Sequence, residues 1–302
     1  MSLRFPVLPM KATMGSTAHV PEGEDWAFEI KWDGYRTIVH VAARAVRLQS
    51  TAGHDVTSRW PELGGIVGGL NASAAILDGE LVVFDDDGRP SFDLVQHSGV
   101  GSQCQAVLQL FDVLQIDGTD TIGLPYLDRR RLLDQIVEPG PNWTIPGHLI
   151  GDGSELVAAT AEQGLEGVIA KRVDSTYRPG ARSKEWLKIK HRTRVDLTIG
   201  GFTAGAGNRA TTFGALLVGN PSGTGLRFAG GVGTGFDQRT LESLTARLHD
   251  LVTERCPFEP EPPTAIRRTA IWVEPVLRAT VDIAEFTNDG LVRHASFVSL
   301  SP

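Results

Sequence analysis

Near residue 191 the sequence changes character, and this change constrains the fold more than any other feature. Before it, segments with strand and helix patterns are interleaved. From Asp196 onward glycine becomes dense, in runs such as GGFTAGAG and LLVGNPSGTGLRFAGGVGTGF. Short strands at turn-marked intervals predict a small β-barrel there. One helix over 237–252 interrupts it, with Leu241, Leu244, Leu248 and Leu251 as its apolar stripe. A proline-rich loop, Pro257 to Pro263, leads to strands at 270–276, 279–286 and 292–297. None of the glycine runs ends in Gly-Lys-Ser/Thr before a helix, so they read as hairpin turns and not as phosphate cradles. A chain of 302 residues has room for two cores.

The earlier part reads as mixed α and β. Residues 26–50 alternate β-branched or aromatic with polar residues, as paired strands do, with a hairpin turn at Ala43-Arg44. Apolar positions at helical spacing follow Pro61 over 60–70. Strands are expected at 76–84, 105–113, 167–170 and 185–189, and helices at 127–137 and 154–163, the latter capped by Ser154. The net charge of −7 requires any nucleic-acid surface to be a local patch. Two distant cysteines, Cys104 and Cys256, form no CxxC or Cys/His cluster, which disfavours a disulfide framework or a zinc site and fits a reducing compartment. With no signal-peptide core and no apolar run of membrane length, a soluble cytoplasmic protein is expected.

Five windows hold candidate chemistry. In Glu29-Ile30-Lys31-Trp32-Asp33-Gly34-Tyr35-Arg36 a strand would put Glu29, Lys31 and Asp33 on one face. A lysine there, partly desolvated and near other cations, can become a free amine that attacks an electrophile. Taken alone, the window fits a solvated strand lysine beside two acids at least as well. In Trp186-Leu187-Lys188-Ile189-Lys190 the two lysines share a face, which suits a polyanion such as a triphosphate. Glu80 opens an apolar strand after a turn, a place for a ribose hydroxyl acceptor. Glu166 precedes a short buried strand, and one carboxylate among phosphates is a usual way to hold Mg²⁺. Phe111 fits either base stacking or core packing.

In order and spacing these windows resemble the nucleotidyltransferase motifs shared by ATP-dependent DNA ligases and mRNA capping enzymes. They are most similar to the ligase module of bacterial end-joining ligases. The motifs are Lys31-Trp32-Asp33-Gly34-Tyr35-Arg36, the LDGELVVFDDDGRPSF run from Leu77 to Phe92, FDVLQIDG from Phe111 to Gly118, EGVIAKR from Glu166 to Arg172, and Trp186 to Lys190. The resemblance implies an α+β protein with an adenylation domain over 1–191, a hinge over 191–195 and an OB-fold over 196–302. It implies that Lys31 takes AMP from ATP, passes it to a DNA 5′-phosphate, and that the 3′-hydroxyl then seals the nick. Glu29 would read the adenine amino group, beside Ile30 in the nucleotide site. Arg36 would contact the ribose and the DNA end, Glu80 the ribose, and Phe111 the base. Lys188 and Lys190 would grip the α-phosphate, and Glu166 would hold Mg²⁺ or Mn²⁺.

The implied partners are nicked duplex DNA and other repair proteins, and the chain is expected to be a monomer. Nine Lys or Arg lie between Lys171 and Arg194. They form the expected DNA patch, in which Lys171 and Arg172 are candidate contacts, with Arg36, Arg59 and Arg293 as further candidates outside it. ATP is expected over NAD because only 30 residues precede Lys31. Two departures stand out. Thr51 occupies the place of an arginine that senses the nick phosphate. Arg293-His294-Ala295-Ser296-Phe297 is a reduced form of the motif that orients pyrophosphate. An RNA ligase or capping-type enzyme, and a non-catalytic nucleic-acid-binding module, are the competing readings.

Overall fold

A computed structural model describes residues 3–223, 225–287 and 289–301. Contacts divide the chain after His191 into two compact units.

The first unit holds two sheets. Its strands and helices are β1 (Lys11–Met14), β2 (Trp26–Ile30), β3 (Tyr35–Ala42), β4 (Ala45–Ser50), β5 (Ala74–Val83), α1 (Phe92–His97), β6 (Ala106–Ile116), β7 (Thr119–Asp120), α2 (Tyr126–Ile136), β8 (Trp143–Thr144), β9 (Leu149–Ile150), α3 (Ser154–Glu162), β10 (Gly167–Arg172) and β11 (Arg182–Lys190). One sheet runs β4-β3-β5-β6-β7 with β8 added to β6, and the other runs β1-β11-β10-β2-β9. The hairpin turn at Ala43-Arg44 is present, with both residues at positive φ (50° and 63°), the geometry a two-residue turn demands.

The sheets meet face to face. Ile38, Ile76 and Leu114 of the first pack with Trp186 of the second, and Met10 and Tyr177 complete the buried cluster. The far face of the first sheet is covered by α2 and by the segment Pro61–Gly69, through Leu63, Ile66, Leu133 and Ile136. The far face of the second is covered by α3, whose Leu156 and Val157 lie on Phe28, Val168 and Ile189.

Several expectations need correction: the strand over 270–276 ends at Trp272, and that over 292–297 is interrupted after Arg293. Pro61–Gly69 is a 3₁₀ segment and not an α-helix. Its four glycines remove the backbone restriction that sustains an α-helix. Ser154 is inside α3 and does not cap it; Gly153 holds the cap position, and Asp152 accepts the Ser154 N–H at 2.8 Å. The strand over 279–286 is broken into two pieces after Ile283. The sequence reading also missed β1 and α1.

The second unit comprises β12 (Thr193–Ala204), β13 (Phe213–Ser222), β14 (Gly225–Val232), α4 (Gln238–His249), α5 (Thr264–Arg267), β15 (Ala270–Trp272), β16 (Arg278–Ile283), β17 (Glu285–Phe286), β18 (Val292–Arg293) and β19 (Ser296–Ser301). Its main sheet is ordered β14-β13-β12-β16-β19, with β15 paired to β12. Leu241, Leu244 and Leu248 of α4 are buried against it, and Asp237 caps that helix by accepting the Thr240 N–H at 2.7 Å. Thr193, Arg194 and Val195, in the segment expected to act as a hinge, are paired with β16.

A buried ion pair ties α2 to the first sheet. Arg129 donates to both Asp112 oxygens, at 2.7 and 2.9 Å, and to the carbonyls of Leu124 and Ser175. Both side chains are fully buried. Arg129→Ala is expected to cost about 3–5 kcal/mol, because it strands a buried carboxylate. Removing Asp112 as well should return part of that loss. Urea denaturation checks this; a single-variant cost below about 1 kcal/mol would contradict the role assigned to the pair.

Candidate active site

Lys31 follows the end of β2, and its backbone N–H donates to the Gly167 carbonyl at 2.9 Å. That bond sets Lys31 beside Glu166, whose two oxygens accept from the Lys31 and Lys190 ammoniums. The side chains are 20%, 18% and 22% exposed respectively, so a ligand can reach all three. Two glycines make the approach possible. Gly167 has φ +144°, and a Cβ there would sit 2.1 Å from the Ile189 carbonyl oxygen of the neighbouring strand. At Gly34 a Cβ would lie 2.3 Å from the Leu81 carbonyl oxygen and 3.0 Å from Glu80. Burial pushes the Glu166 carboxyl up, but the charges and hydrogen bonds of Lys31 and Lys190 outweigh it and hold the group below the usual range.

Beside this cluster lies a cavity of about 250 Å³ between the two sheets of the first unit. Ile30, Lys31, Ile169, Trp186 and Lys188 come from one side, and Arg36, Glu80 and Phe111 from the other. Thr51 and the segment Pro9–Ala12 close it. The floor is thus aromatic and aliphatic, while cations gather where Lys31 and Lys188 stand. Burial raises the Glu80 carboxyl to about 7, against the opposing charges of Arg36 and Lys31. Burial and the neighbouring charges of Lys190, Arg182 and Lys31 hold the Lys188 ammonium below the usual lysine range.

Behind the cavity wall the polar groups pair with one another. Glu29 accepts from Tyr126, pairs with Lys171 at 2.6 Å and faces Arg130 at 4.0 Å. Burial acts to raise the Glu29 carboxyl, and the Lys171 and Arg130 charges reverse that. Lys171 sits in a cage of aromatic rings, 4.5 Å from the Phe111 centroid, 4.8 Å from that of Tyr126 and 4.4 Å from that of Trp186. Arg36 binds both Asp78 oxygens, at 2.6 and 2.7 Å, and lies 4.5 Å from the Phe111 centroid. Asp78 also accepts from Tyr177 at 2.6 Å, and Tyr177 accepts the Met10 N–H at 2.9 Å.

The structure therefore gathers Lys31, Ile30, Arg36, Glu80, Phe111, Glu166, Lys188 and Lys190 in one place. It corrects four expectations. Lys171 is 1% exposed and turned into the wall, so it is no DNA contact. The Glu29 carboxylate lines the cavity but is committed to Lys171 and Tyr126, so side-chain reading of a base would break a buried ion pair. Arg59, a candidate DNA contact, is engaged within the first unit. Its guanidinium donates to the Val95, Gln96 and Ser98 carbonyls at the end of α1. The patch over 171–194 is also partly neutralised, since Arg172 pairs with Asp174, Arg178 with Glu185 and Arg194 with Asp282. Arg293 is in β18, in the second unit. Asp78, Tyr126, Tyr177 and Lys11 escaped the sequence reading, and Arg182 entered it only as one cation of the patch over 171–194. Asp78 was within reach of it, because it shares a strand face with Glu80.

A lysine, a carboxylate and further cations at the edge of an apolar cavity make a nucleotidyltransferase arrangement, and comparison with known proteins agrees. Residues 9–190 match the model of the ATP dependent DNA ligase domain, and residues 209–302 that of the ATP dependent DNA ligase C terminal region. The multifunctional non-homologous end joining DNA repair protein LigD of Mycobacterium tuberculosis is 41% identical over 294 residues. That match covers 97% of this chain and 38% of that protein. The LigD of Pseudomonas aeruginosa is 35% identical over 293 residues, 95% of this chain and 35% of its own length. The chain thus spans well under half the length of these relatives. Among solved structures, mycobacterial DNA ligase D complexed with ATP and MES is 39% identical, with a TM-score of 0.59 over 98% of this chain and 95% of that one. A Lig E DNA ligase shares the fold at 17% identity and a TM-score of 0.63. The chain belongs to the ATP-dependent DNA ligase family.

The raised Glu80 carboxyl has a consequence for stability. Between pH 4.5 and about 7 the folded chain keeps a proton that the unfolded chain has released, so this group lowers stability as pH rises through that window. Glu80→Gln is expected to gain on the parent chain between pH 5 and 8, by up to about 3 kcal/mol. Chemical denaturation at the two pH values tests this; a stability difference that does not change with pH would contradict it.

Proposed function

We propose that this chain joins DNA ends through a lysyl-AMP intermediate on Lys31, with ATP as the donor. The observation that carries the reading is the Lys31–Glu166–Lys190 cluster at the edge of an apolar cavity. An adenine ring fits the apolar part beside Phe111 and Ile30, with the ribose hydroxyls toward Glu80. The α-phosphate then lies among Lys31, Lys188 and Lys190. An incoming phosphate competes with Glu166 for the two ammoniums, which frees Lys31 from its ion pair. The Lys31 ammonium releases a proton to solvent and its amine attacks the α-phosphorus; a P–N bond forms, the bond to the bridging oxygen breaks, and pyrophosphate leaves. Lys188 and Lys190 stabilise the negative charge that develops on the phosphoryl oxygens. AMP next passes to a 5′-phosphate, and the neighbouring 3′-hydroxyl displaces it.

A divalent cation, Mg²⁺ or Mn²⁺, is part of the proposal. Among the described residues no group of three or more His, Cys, Asp or Glu could hold one unaided. The donor set fits an ion that arrives with the nucleotide, since Glu166 supplies one carboxylate and phosphate oxygens and water complete the shell. Such an ion would neutralise phosphate charge.

Nicked duplex DNA as substrate goes with the family, a role in end joining is supported by the names of both LigD relatives, and a role in repair by that of the Mycobacterium tuberculosis protein. A cytoplasmic location goes with that role, and no described helix is long and apolar enough to cross a membrane. We also propose that the second unit is an OB-fold that grips DNA. Its sheet with one interposed helix supports that reading.

Incubation with radiolabelled ATP and Mg²⁺ is expected to give a covalent adduct that survives denaturation. Lys31→Ala and Lys31→Arg should reduce it to background, and Lys190→Ala should slow it by about 10²-fold or more. Persistence of the adduct in Lys31→Ala would contradict the assignment. Binding of nicked DNA by the parent chain without any adduct would favour a non-catalytic module instead.

A further inference from the structure

The segment that closes one side of the cavity is tied to both sheets that enclose it. Gln49, near the end of β4, holds it from the first sheet. Its side-chain oxygen accepts the Val7 N–H at 2.9 Å, and its side-chain nitrogen donates to the Val7 carbonyl at 2.7 Å. Gln49 is fully buried, so both bonds are sheltered from water. His40 Nε2 lies 3.0 Å from the same oxygen, which can only accept, so Nε2 carries the proton. Next to this clamp the Phe5 ring packs on His40, 5.2 Å between centroids, with the Arg47 guanidinium 4.7 Å from its centre.

From Met10 onward the segment belongs to the second sheet. Tyr177 accepts the Met10 N–H at 2.9 Å, and the Lys11 N–H donates to the Ala181 carbonyl at 2.8 Å where β1 begins. Pro9 and Met10, between the two attachments, line the cavity. The Met10 carbonyl also accepts from Arg36 Nη2 at 3.4 Å. Val7 lies outside every strand, and Gln49 offers it the donor and acceptor that a neighbouring strand would offer. An amide does this with no charge to desolvate.

We infer that Gln49 is a positioning residue for the nucleotide site: by docking Val7 it keeps the wall Pro9–Ala12 in place before the nucleotide arrives. This rests on the nucleotide-site reading above. Without the clamp the segment is docked for only part of the time in the free chain, and the nucleotide binds that fraction. Apparent affinity then falls with the docked fraction, while the bound state keeps the geometry and the transfer rate of the parent.

The rate of labelled adduct formation against ATP concentration, on the full chain with Mg²⁺, separates the two quantities. Gln49→Met keeps the length of the side chain without its polar atoms. Gln49→Glu, when ionised, keeps the acceptor but has no hydrogen for the Val7 carbonyl. Each is expected to raise the ATP concentration giving half-maximal rate by about tenfold, with the maximal rate within about twofold of the parent. The amides of Val7, Met10 and Lys11 should exchange hydrogen faster in both variants, and slow again at saturating ATP. Phe5→Ala, at an exposed ring outside both sheets, should shift the half-maximal concentration in the same direction by about threefold. It decides the question if the Gln49 variants do not fold. Half-maximal concentrations within about twofold of the parent in the folded variants, or a shift without faster exchange, would overturn the positioning role and leave the nucleotide site intact. A parent chain that neither binds ATP nor forms the adduct would overturn the nucleotide-site reading and this one with it.

Discussion

One carboxylate organises the site. Glu166 accepts from Lys31 and Lys190 at once, and without it four cations (Lys31, Lys188, Lys190 and Arg182) would crowd one end of a cavity with little to separate them. Its position follows from backbone geometry. Gly167 lets β10 run close against β11, and the Gly167 carbonyl accepts the Lys31 N–H. Lys31, its counter-charge Glu166 and Lys190 thus come from three strand ends held together by one glycine. The arrangement is also one that a ligand can exchange, because a phosphate offers the lysines what Glu166 offers them.

A second, deeper set of charges keeps the wall rigid. Glu29, Lys171, Arg130 and Tyr126 form one group, and Arg36, Asp78 and Tyr177 another. Buried ion pairs of this kind add little net stability, since desolvation offsets much of their attraction. Their effect here is positional. Lys171 and Arg36 both bear on Phe111, so the ring proposed to meet a base is held by cations that are themselves fixed by carboxylates.

The elements around Lys31 were legible in the sequence because strand alternation and turn residues are local signals. The Ala43-Arg44 turn and helices α2 and α4 have side chains that state their own burial. Pro61–Gly69 misled because its apolar spacing is helical while its glycines are not. The nucleotide motifs marked Lys31, Glu80, Phe111, Glu166, Lys188 and Lys190, and the fold brings them together. Lys171 and Arg59 were misjudged for one reason. A sequence shows a charge but not whether it faces solvent or a partner distant in the chain. Lys171 meets Glu29, and Arg59 meets carbonyls 36 to 39 residues away. The meeting of Lys11 with Arg182 was hidden for the converse reason, since the parallel pairing that joins them spans most of the first unit.

The family assignment fixes the class of chemistry, and Lys31 is the residue we propose for its first step. Peptide mapping by mass spectrometry, after incubation with ATP and Mg²⁺, tests that step directly. The predicted result is the mass of AMP on the peptide that holds Lys31, removed when pyrophosphate is added back. AMP on any other residue, or no modified peptide from a folded chain that binds ATP, would contradict it.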